Sequence, residues 1–312
     1  MKGKLILVEG IPGSGKSTFA RFLSNQFERN GYMCKLFLET TYDHPIIEFS
    51  GYEEITLFLE SFYDRWSKLL AKLQNTEIVV LESAFFQSPI VHLIHKEADR
   101  ELIKSLINKV SDLLSKGDCR LIYFYQEDRS AAIEKMIEKR GGRDYLLRKH
   151  EEYKNEPYFL NRQEQGPESH ISFFHEYSVL ANEIVRQLSI PTEFIENSAA
   201  EYGLYQKQML DKLNLEYFPD PILEPSLLKK YSGLYHNKEM DFKILVELKE
   251  DRLWIFGNKR MDPKGLNQFY LNDMSVIVSF IENDSGVNGL VITEKDLYAN
   301  RNDNGTVFER IS

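Results

Sequence analysis

The sequence predicts an α/β domain, a mostly parallel sheet covered by helices on both faces, followed by a small antiparallel β barrel or sandwich. Two observations carry that expectation. Up to about residue 213, short apolar runs alternate with longer stretches of helical periodicity. Crossovers of that length join parallel strands. Beyond FPDPILEP (218–225), with three prolines in eight residues, the pattern changes to short strands separated by turn residues. The expected organisation is a first domain at 1–217, a Pro-rich linker at 218–228 and an all-β domain at 229–312.

In the first part the apolar runs are 4–8, 33–39, 77–82, 119–125 and 192–195, each short and bounded as strands are. The periodic stretches between them include 17–29, 55–73, 92–114 and 130–139, which read as helices. In the second part YSGLY, DFKILVELKE, RLWIFGN, NQFYL, SVIVSFIEN, VNGLVIT and TVFERI give seven short strands in about 85 residues. Turn signals such as NDSG and NDNG separate them.

Composition narrows the function classes. The hydrophobic share is 42% and the charged share 28%, ordinary for a soluble globular chain. A net charge of -9 argues against nucleic acid or an anionic membrane as the main partner. No apolar run reaches membrane-spanning length, and only a few polar residues precede the first strand, so a cytoplasmic protein is expected. Cys34 and Cys119 sit in predicted strands as core residues and form no disulfide framework.

The chemistry starts at LILVEGIPGSGKSTFA (5–20). GIPGSGKS matches G-x-x-x-x-G-K-[ST] at Gly10, Gly15, Lys16 and Ser17, with Gly13 and Ser14 inside the loop and Thr18 after it. Such a loop wraps a phosphate with successive backbone N–H groups, and side chains at Gly13 or Gly15 would crowd that turn. Lys16 is expected to reach the β and γ phosphates and Ser17 to sit on Mg²⁺. The helix starting at Gly15–Lys16 adds its positive end. The loop follows an apolar strand and opens a periodic helix, the context that confirms a P-loop NTPase sheet. A guanine-reading N-K-x-D is absent from the first part, and NKRMD (258–262) has the wrong spacing, so ATP is the expected nucleotide.

Three acids flank the loop or end predicted strands: Glu9, Glu39 closing CKLFLE, and Glu82 closing EIVVLE. Ligands of open α/β sheets sit at such strand ends. One carboxylate there can hold Mg²⁺ or its water, and a second can orient and deprotonate an acceptor hydroxyl. Which of Glu39 and Glu82 is the base stays open. Residues 128–154 carry eight Lys/Arg against six acids, and Arg140 and Arg143 flank two glycines. Paired arginines on a mobile element suit the clamping of a transferring phosphoryl group, and Arg129 is a further candidate.

With these residues in view, the chain resembles the P-loop nucleoside and nucleotide kinases, in particular the deoxynucleoside and thymidylate kinase group, over about residues 1–213. VEGIPGSGKST is similar to their phosphate loop. The resemblance implies a general base at Glu39, after the second strand. It aligns Glu82 of LESAFFQSP with the acid of their acid-Arg-Ser signature, where Ser83 stands in place of the usual arginine. RGGRDYLLRKHEEYKNEPYFL resembles their lid, with Arg140 and Arg143 at lid positions and Tyr145 on the helix behind. The β domain is foreign to that family.

The acceptor pocket is expected between 41–47 and 85–90, with Tyr42, Asp43, His44, Phe85, Phe86 and Gln87 on offer. A planar base would stack on the aromatics and pair with Gln87, or the aromatics fill the core. His92 and His95 lie one turn apart with Asp99 beyond but lack further convergent ligands, and His170 and His175 read as surface or core. Mg²⁺ arriving with ATP is the metal expected. The leading expectation is a kinase moving the γ-phosphate of ATP to a hydroxyl of a small molecule, nucleoside or nucleotide-like. Its catalytic residues would be Lys16, Glu39, Glu82, Arg140 and Arg143, with Ser17 and Glu82 on the metal. An antibiotic or other non-nucleoside acceptor, or a nucleotide-gated regulatory module with slow hydrolysis, are the alternatives. A homodimer is compatible with the sequence.

Overall fold

The computed structural model describes residues 4–39, 41, 44–48, 54–73, 77–163, 165–271, 276–294 and 305–311. The chain divides into two compact units, Met1–Cys34 with Asp43–Glu216, and Lys35–Tyr42 with Tyr217–Ser312. Elements run in the order β1 (Lys4–Gly10), α1 (Lys16–Arg29), β2 (Met33–Phe37), α2 (Ile55–Lys72), β3 (Glu77–Glu82), α3 (Gln87–His95) and α4 (Arg100–Leu114). They continue with β4 (Asp118–Tyr125), α5 (Arg129–Lys139), α6 (Arg143–Tyr153), α7 (Pro157–Asn161), α8 (Ser169–Val185), β5 (Thr192–Glu196) and α9 (Tyr202–Leu213).

The five strands form one sheet in the order β2-β3-β1-β4-β5. β1 lies at its centre, parallel to β3 and β4, and β4 is parallel to β5. Leu5 to Val8 and Ile78 to Leu81 are buried on both sheet faces, which is why these runs are continuously apolar. The register sets Glu82 level with Val8, one residue short of Glu9, so the carboxyl ends of β1 and β3 finish together beside the loop. α1 buries Phe19, Ala20, Leu23 and Phe27 along one stripe, and Gly31 at φ 83° ends it.

Two expected elements end differently. The run 33–39 stops as a strand at Phe37, because Leu38 and Thr41 close a turn. There the Leu38 N–H donates to Thr41 Oγ1 at 2.9 Å and the Thr41 N–H to the Leu38 carbonyl at 2.9 Å. The periodic stretch 92–114 is two helices, since Glu97 adopts φ 54° and Asp99 caps α4, accepting from the Glu101 and Leu102 N–H groups.

The second unit carries α10 (Pro225–Leu228), a 3-10 turn at Lys229–Tyr231, and the strands β6 (Gly233–Asn237), β7 (Phe242–Lys249), β8 (Arg252–Ile255) and β9 (Lys259–Pro263). Four more follow: β10 (Gln268–Leu271), β11 (Val276–Asn283), β12 (Gly286–Glu294) and β13 (Thr306–Arg310). They close as a barrel in the order β10-β11-β12-β13-β6-β7-β8-β9. Among the described residues the barrel thus has one strand more than the seven expected. β9 reads Lys-Arg-Met-Asp-Pro, and only Met261 carries its inward face, so hydropathy alternation misses it. NKRMD is therefore barrel strand, not a base-reading loop.

Side chains fill the barrel interior. Tyr231, Phe269 and Phe280 are at most 2% exposed, and the Tyr231 and Phe280 rings stack at 4.4 Å. The Tyr231 hydroxyl donates to the Leu266 carbonyl at 2.6 Å, satisfying the polar end of a buried ring. Leu228, at the end of the stretch expected to be linker, is 4% exposed within the same core. Phe280→Ala removes the central ring and is expected to destabilise the chain by about 3–5 kcal/mol in urea denaturation. A loss under about 1 kcal/mol would contradict a packed interior.

Candidate active site

The loop between β1 and α1 is held from behind by several elements of its own unit. Tyr177 of α8 donates its buried hydroxyl to the Gly10 carbonyl at 3.3 Å. Asn197, the first residue after β5, is 2% exposed and donates its side-chain amide to the Ser14 carbonyl. Gly13 has φ 82°, and a Cβ there would meet Met136 Cγ of α5 at 2.5 Å. Gly15 has φ 89°, and a Cβ there would run into Tyr202 of α9, its ring Cε1 at 2.6 Å. The two glycines are thus required by protein packed against the loop as well as by its left-handed turns.

No side chain caps α1, whose N-cap is Gly15. Its first N–H groups and its positive end therefore remain for an anion. Thr18 is exposed in that first turn. Lys16 is 5% exposed, and its Nζ donates to the Ile11 carbonyl at 3.0 Å and to Gln87 Oε1 at 2.9 Å. Ser17 Oγ donates to Glu82 Oε1 at 3.1 Å, and Ser83 Oγ donates to the same oxygen at 2.7 Å. The expected loop residues, with Glu82, are therefore gathered at one end of the sheet.

Glu9 is the carboxylate whose place in the sequence says least about its environment. It is 0% exposed, inside β1, and accepts from the Phe85 N–H at 2.6 Å and the Gln87 N–H at 3.2 Å. These amides belong to the turn leading into α3, so Glu9 pins the start of that helix beside the loop. Burial pushes its carboxyl from 4.5 up to about 8, and the amides of Phe85, Gln87 and Phe86 with the Lys16 charge oppose only part of that. Ser83, at the turn after Glu82, has φ 61° and is fully buried, a left-handed conformation that non-glycine side chains rarely adopt.

Other expectations change. Phe85 and Phe86 are both 0% exposed and pack on Trp66 and Tyr123, so of the two readings left open they take the core one. Gln87 engages Lys16. His44 Nδ1 accepts from the Ile46 and Ile47 N–H groups at 3.0 and 2.9 Å, and burial, with the Arg65 charge, lowers it to about 3. It is therefore a neutral brace for its own loop. Tyr42 and Asp43 lie outside the described residues.

Glu39 is exposed two residues past β2 and is grouped with the second unit. Arg140 ends α5 and Arg143 opens α6, across Gly141 at φ 109° and Gly142 at φ 60°. Arg140 donates to the Tyr145 hydroxyl at 3.1 Å, and Arg143 lies 3.7 Å from Glu168. Arg140 is engaged within its own hairpin and Arg143 with Glu168 at the start of α8, and both stand outside the Lys16 network. Arg129 is the exposed first residue of α5.

His95 and His170 are buried with Phe159 and Phe173, and Asp99 caps a helix. Among the described residues no group of three His, Cys, Asp or Glu could hold a metal ion. Cys34 and Cys119 are both buried. Sequence reasoning missed Asn197, Tyr177 and Tyr202 as supports of the loop. Asn197 alone left a signal, an amide directly after a strand in a sheet whose strand ends face the ligand.

No family model matches the chain. A thymidylate kinase of Brachyspira hyodysenteriae is 29% identical over 159 residues, 48% of this chain and 76% of that protein. A probable thymidylate kinase of Thermoplasma volcanium is 29% identical over 144 residues, 44% of this chain and 73% of that protein. The first unit is thus similar in sequence to thymidylate kinases. The YorR protein of Bacillus subtilis, solved in complex with phosphorylated GDP, superposes with a TM-score of 0.39 at 13% identity, over 68% of this chain and 96% of that one. The barrel is separate from that likeness.

Glu9 gives the first unit a pH signature. Folded Glu9 holds a proton up to about 8 and unfolded Glu9 only to about 4.5, so the folded state binds more protons in between and stability falls as pH rises through that window. The buried histidines act oppositely at its lower end. His44 and His95 are lowered to about 3, and His92 and His170 to about 4, so their contribution is lost as pH falls below 6.5. Glu9→Gln removes only the first effect. The stability of E9Q relative to wild type should therefore grow from pH 5 to pH 8 by roughly 1–4 kcal/mol in urea denaturation. A difference independent of pH would contradict the raised carboxyl.

Proposed function

We propose that the first unit is a P-loop kinase domain that transfers the γ-phosphoryl group of ATP to a small acceptor, with the acceptor oxygen belonging to the phosphate of a nucleoside monophosphate. The observation that carries the reading is the Lys16–Ser17–Glu82 cluster at the uncapped start of α1. Lys16 supplies the charge that follows the β and γ oxygens through transfer. The loop amides and the α1 end hold the triphosphate in line and lower the entropic part of the barrier. Ser17 and Glu82 offer a hydroxyl and a carboxylate, an oxygen-only donor set that suits Mg²⁺. When bound with the nucleotide, that ion neutralises charge on the phosphates.

The acceptor is argued from the carboxylates. A hydroxyl acceptor needs a base to take its proton, whereas a phosphate monoester is already anionic at neutral pH. In the first unit Glu9 is committed to the Phe85 and Gln87 amides and Glu82 to the Ser17 and Ser83 hydroxyls. Neither is placed as a base, which favours an acceptor that needs none. Thymidylate, from the names of the relatives, is the first acceptor to try. A hydroxyl acceptor would require Glu39 as the base. Arg140 and Arg143 would neutralise the transferred group once the glycine pair between α5 and α6 lets them swing in. No described helix is long and apolar enough to cross a membrane.

The test is acceptor-stimulated ADP release by the full chain with Mg²⁺ and ATP, over nucleoside monophosphates, nucleosides, sugars and aminoglycosides. Stimulation by a monophosphate is expected, and Lys16→Ala should lower turnover by at least about 10²–10³-fold with the fold retained. Acceptor-independent hydrolysis alone would instead support a nucleotide-gated module. Full activity in K16A would end the assignment.

A further inference from the structure

The donor count at Lys16 has a consequence for Gln87, and it rests on the reading that the loop holds ATP. An ammonium group has three N–H donors. Here one goes to the Ile11 carbonyl at 3.0 Å and one to Gln87 Oε1 at 2.9 Å. Ile11 belongs to the loop, lies five residues before Lys16 and is 3% exposed, so its carbonyl travels with the loop and keeps its donor. A lysine that grips both β and γ oxygens needs the two remaining donors. A nucleoside triphosphate therefore requires the donor that Gln87 holds, and a diphosphate, with one oxygen fewer to grip, does not.

We propose that Gln87 competes with the γ-phosphate for Lys16, so that triphosphate binding, and not diphosphate binding, releases the Gln87 carboxamide. The backbone at Gln87 is fixed independently of that contact, because its N–H donates to Glu9 Oε2 at 3.2 Å and it opens α3. Release is thus a side-chain rotation, with no movement of the helix required. The half-buried carboxamide carries two donors and an acceptor and sits at the carboxyl end of the sheet, where the second substrate of an open α/β fold approaches. Filling of the donor site is thereby reported to the acceptor side by one hydrogen bond changing hands. After transfer the γ group has left, Lys16 regains a donor, and Gln87 returns to it in the diphosphate state.

The test compares dissociation constants of the full chain for Mg²⁺ with a non-hydrolysable ATP analogue (AMP-PNP) and for Mg²⁺ with ADP, by titration calorimetry. Gln87→Ala removes the competitor, so AMP-PNP should bind about three- to tenfold more tightly while ADP changes less than about twofold. Gln87→Glu places a carboxylate on Lys16 and should weaken AMP-PNP more than ADP. Gln87→Ser is the second neutral variant should Q87A fail to fold, and it carries the same expectation. Weaker AMP-PNP binding in Q87A, or equal change for both nucleotides, would overturn the competition and make Gln87 a support for Lys16. Absence of binding of either nucleotide to wild type would overturn the ATP reading itself, which is a distinguishable result.

Discussion

The buried carboxyl of Glu9 is the tie on which the site depends. It lies at 0% exposure on the central strand and accepts two backbone N–H groups from the turn into α3. A carboxyl buried without partners costs several kcal/mol, about what a whole domain can lose. Its amide partners offset that cost, and in doing so bind the end of β1 to the start of α3. Three features follow from that join. Ser83 is held at φ 61°, Glu82 is kept level with the loop, and the Gln87 side chain is delivered to Lys16.

The loop itself is braced by side chains from α5, α8, α9 and the residue after β5. Met136, Tyr177, Tyr202 and Asn197 each meet a different loop residue. That arrangement fixes the amides before any phosphate arrives, and preorganised donors are the largest electrostatic resource of phosphoryl transfer. The arginine hairpin is built differently. Its turn is two successive glycines at positive φ, and its guanidiniums are paired within the hairpin and with exposed Glu168. Exposed pairs of that kind are worth about 1 kcal/mol or less, so they do not lock the hairpin against a stronger anion.

Much of the architecture is legible from hydropathy, because a central parallel strand must be apolar on both faces and an amphipathic helix must show its stripe. Leu5 to Val8 and the α1 stripe are of this kind. The loop is legible because a phosphate cradle restricts residue type at fixed spacing. What sequence concealed has physical reasons as well. β9 carries one inward residue, Met261, and leaves no alternation to detect. The end of β2 depends on a side-chain turn at Thr41, and the α3–α4 break on a cap at Asp99. Phe85 and Phe86 could have faced a base or the core, and only tertiary packing against Trp66 and Tyr123 decides between these. Glu9 looked like any strand-end acid, since burial is not written in a residue's identity.

The central claim is that this network delivers a phosphoryl group to an acceptor and does not merely sense nucleotide. The most direct measurement follows the fate of γ-labelled ATP incubated with the full chain, Mg²⁺ and thymidylate alongside the other nucleoside monophosphates. Label covalently attached to a nucleotide, as a new diphosphate, with little inorganic phosphate is the expected result. Label found only as inorganic phosphate, at a rate indifferent to every acceptor, would contradict it.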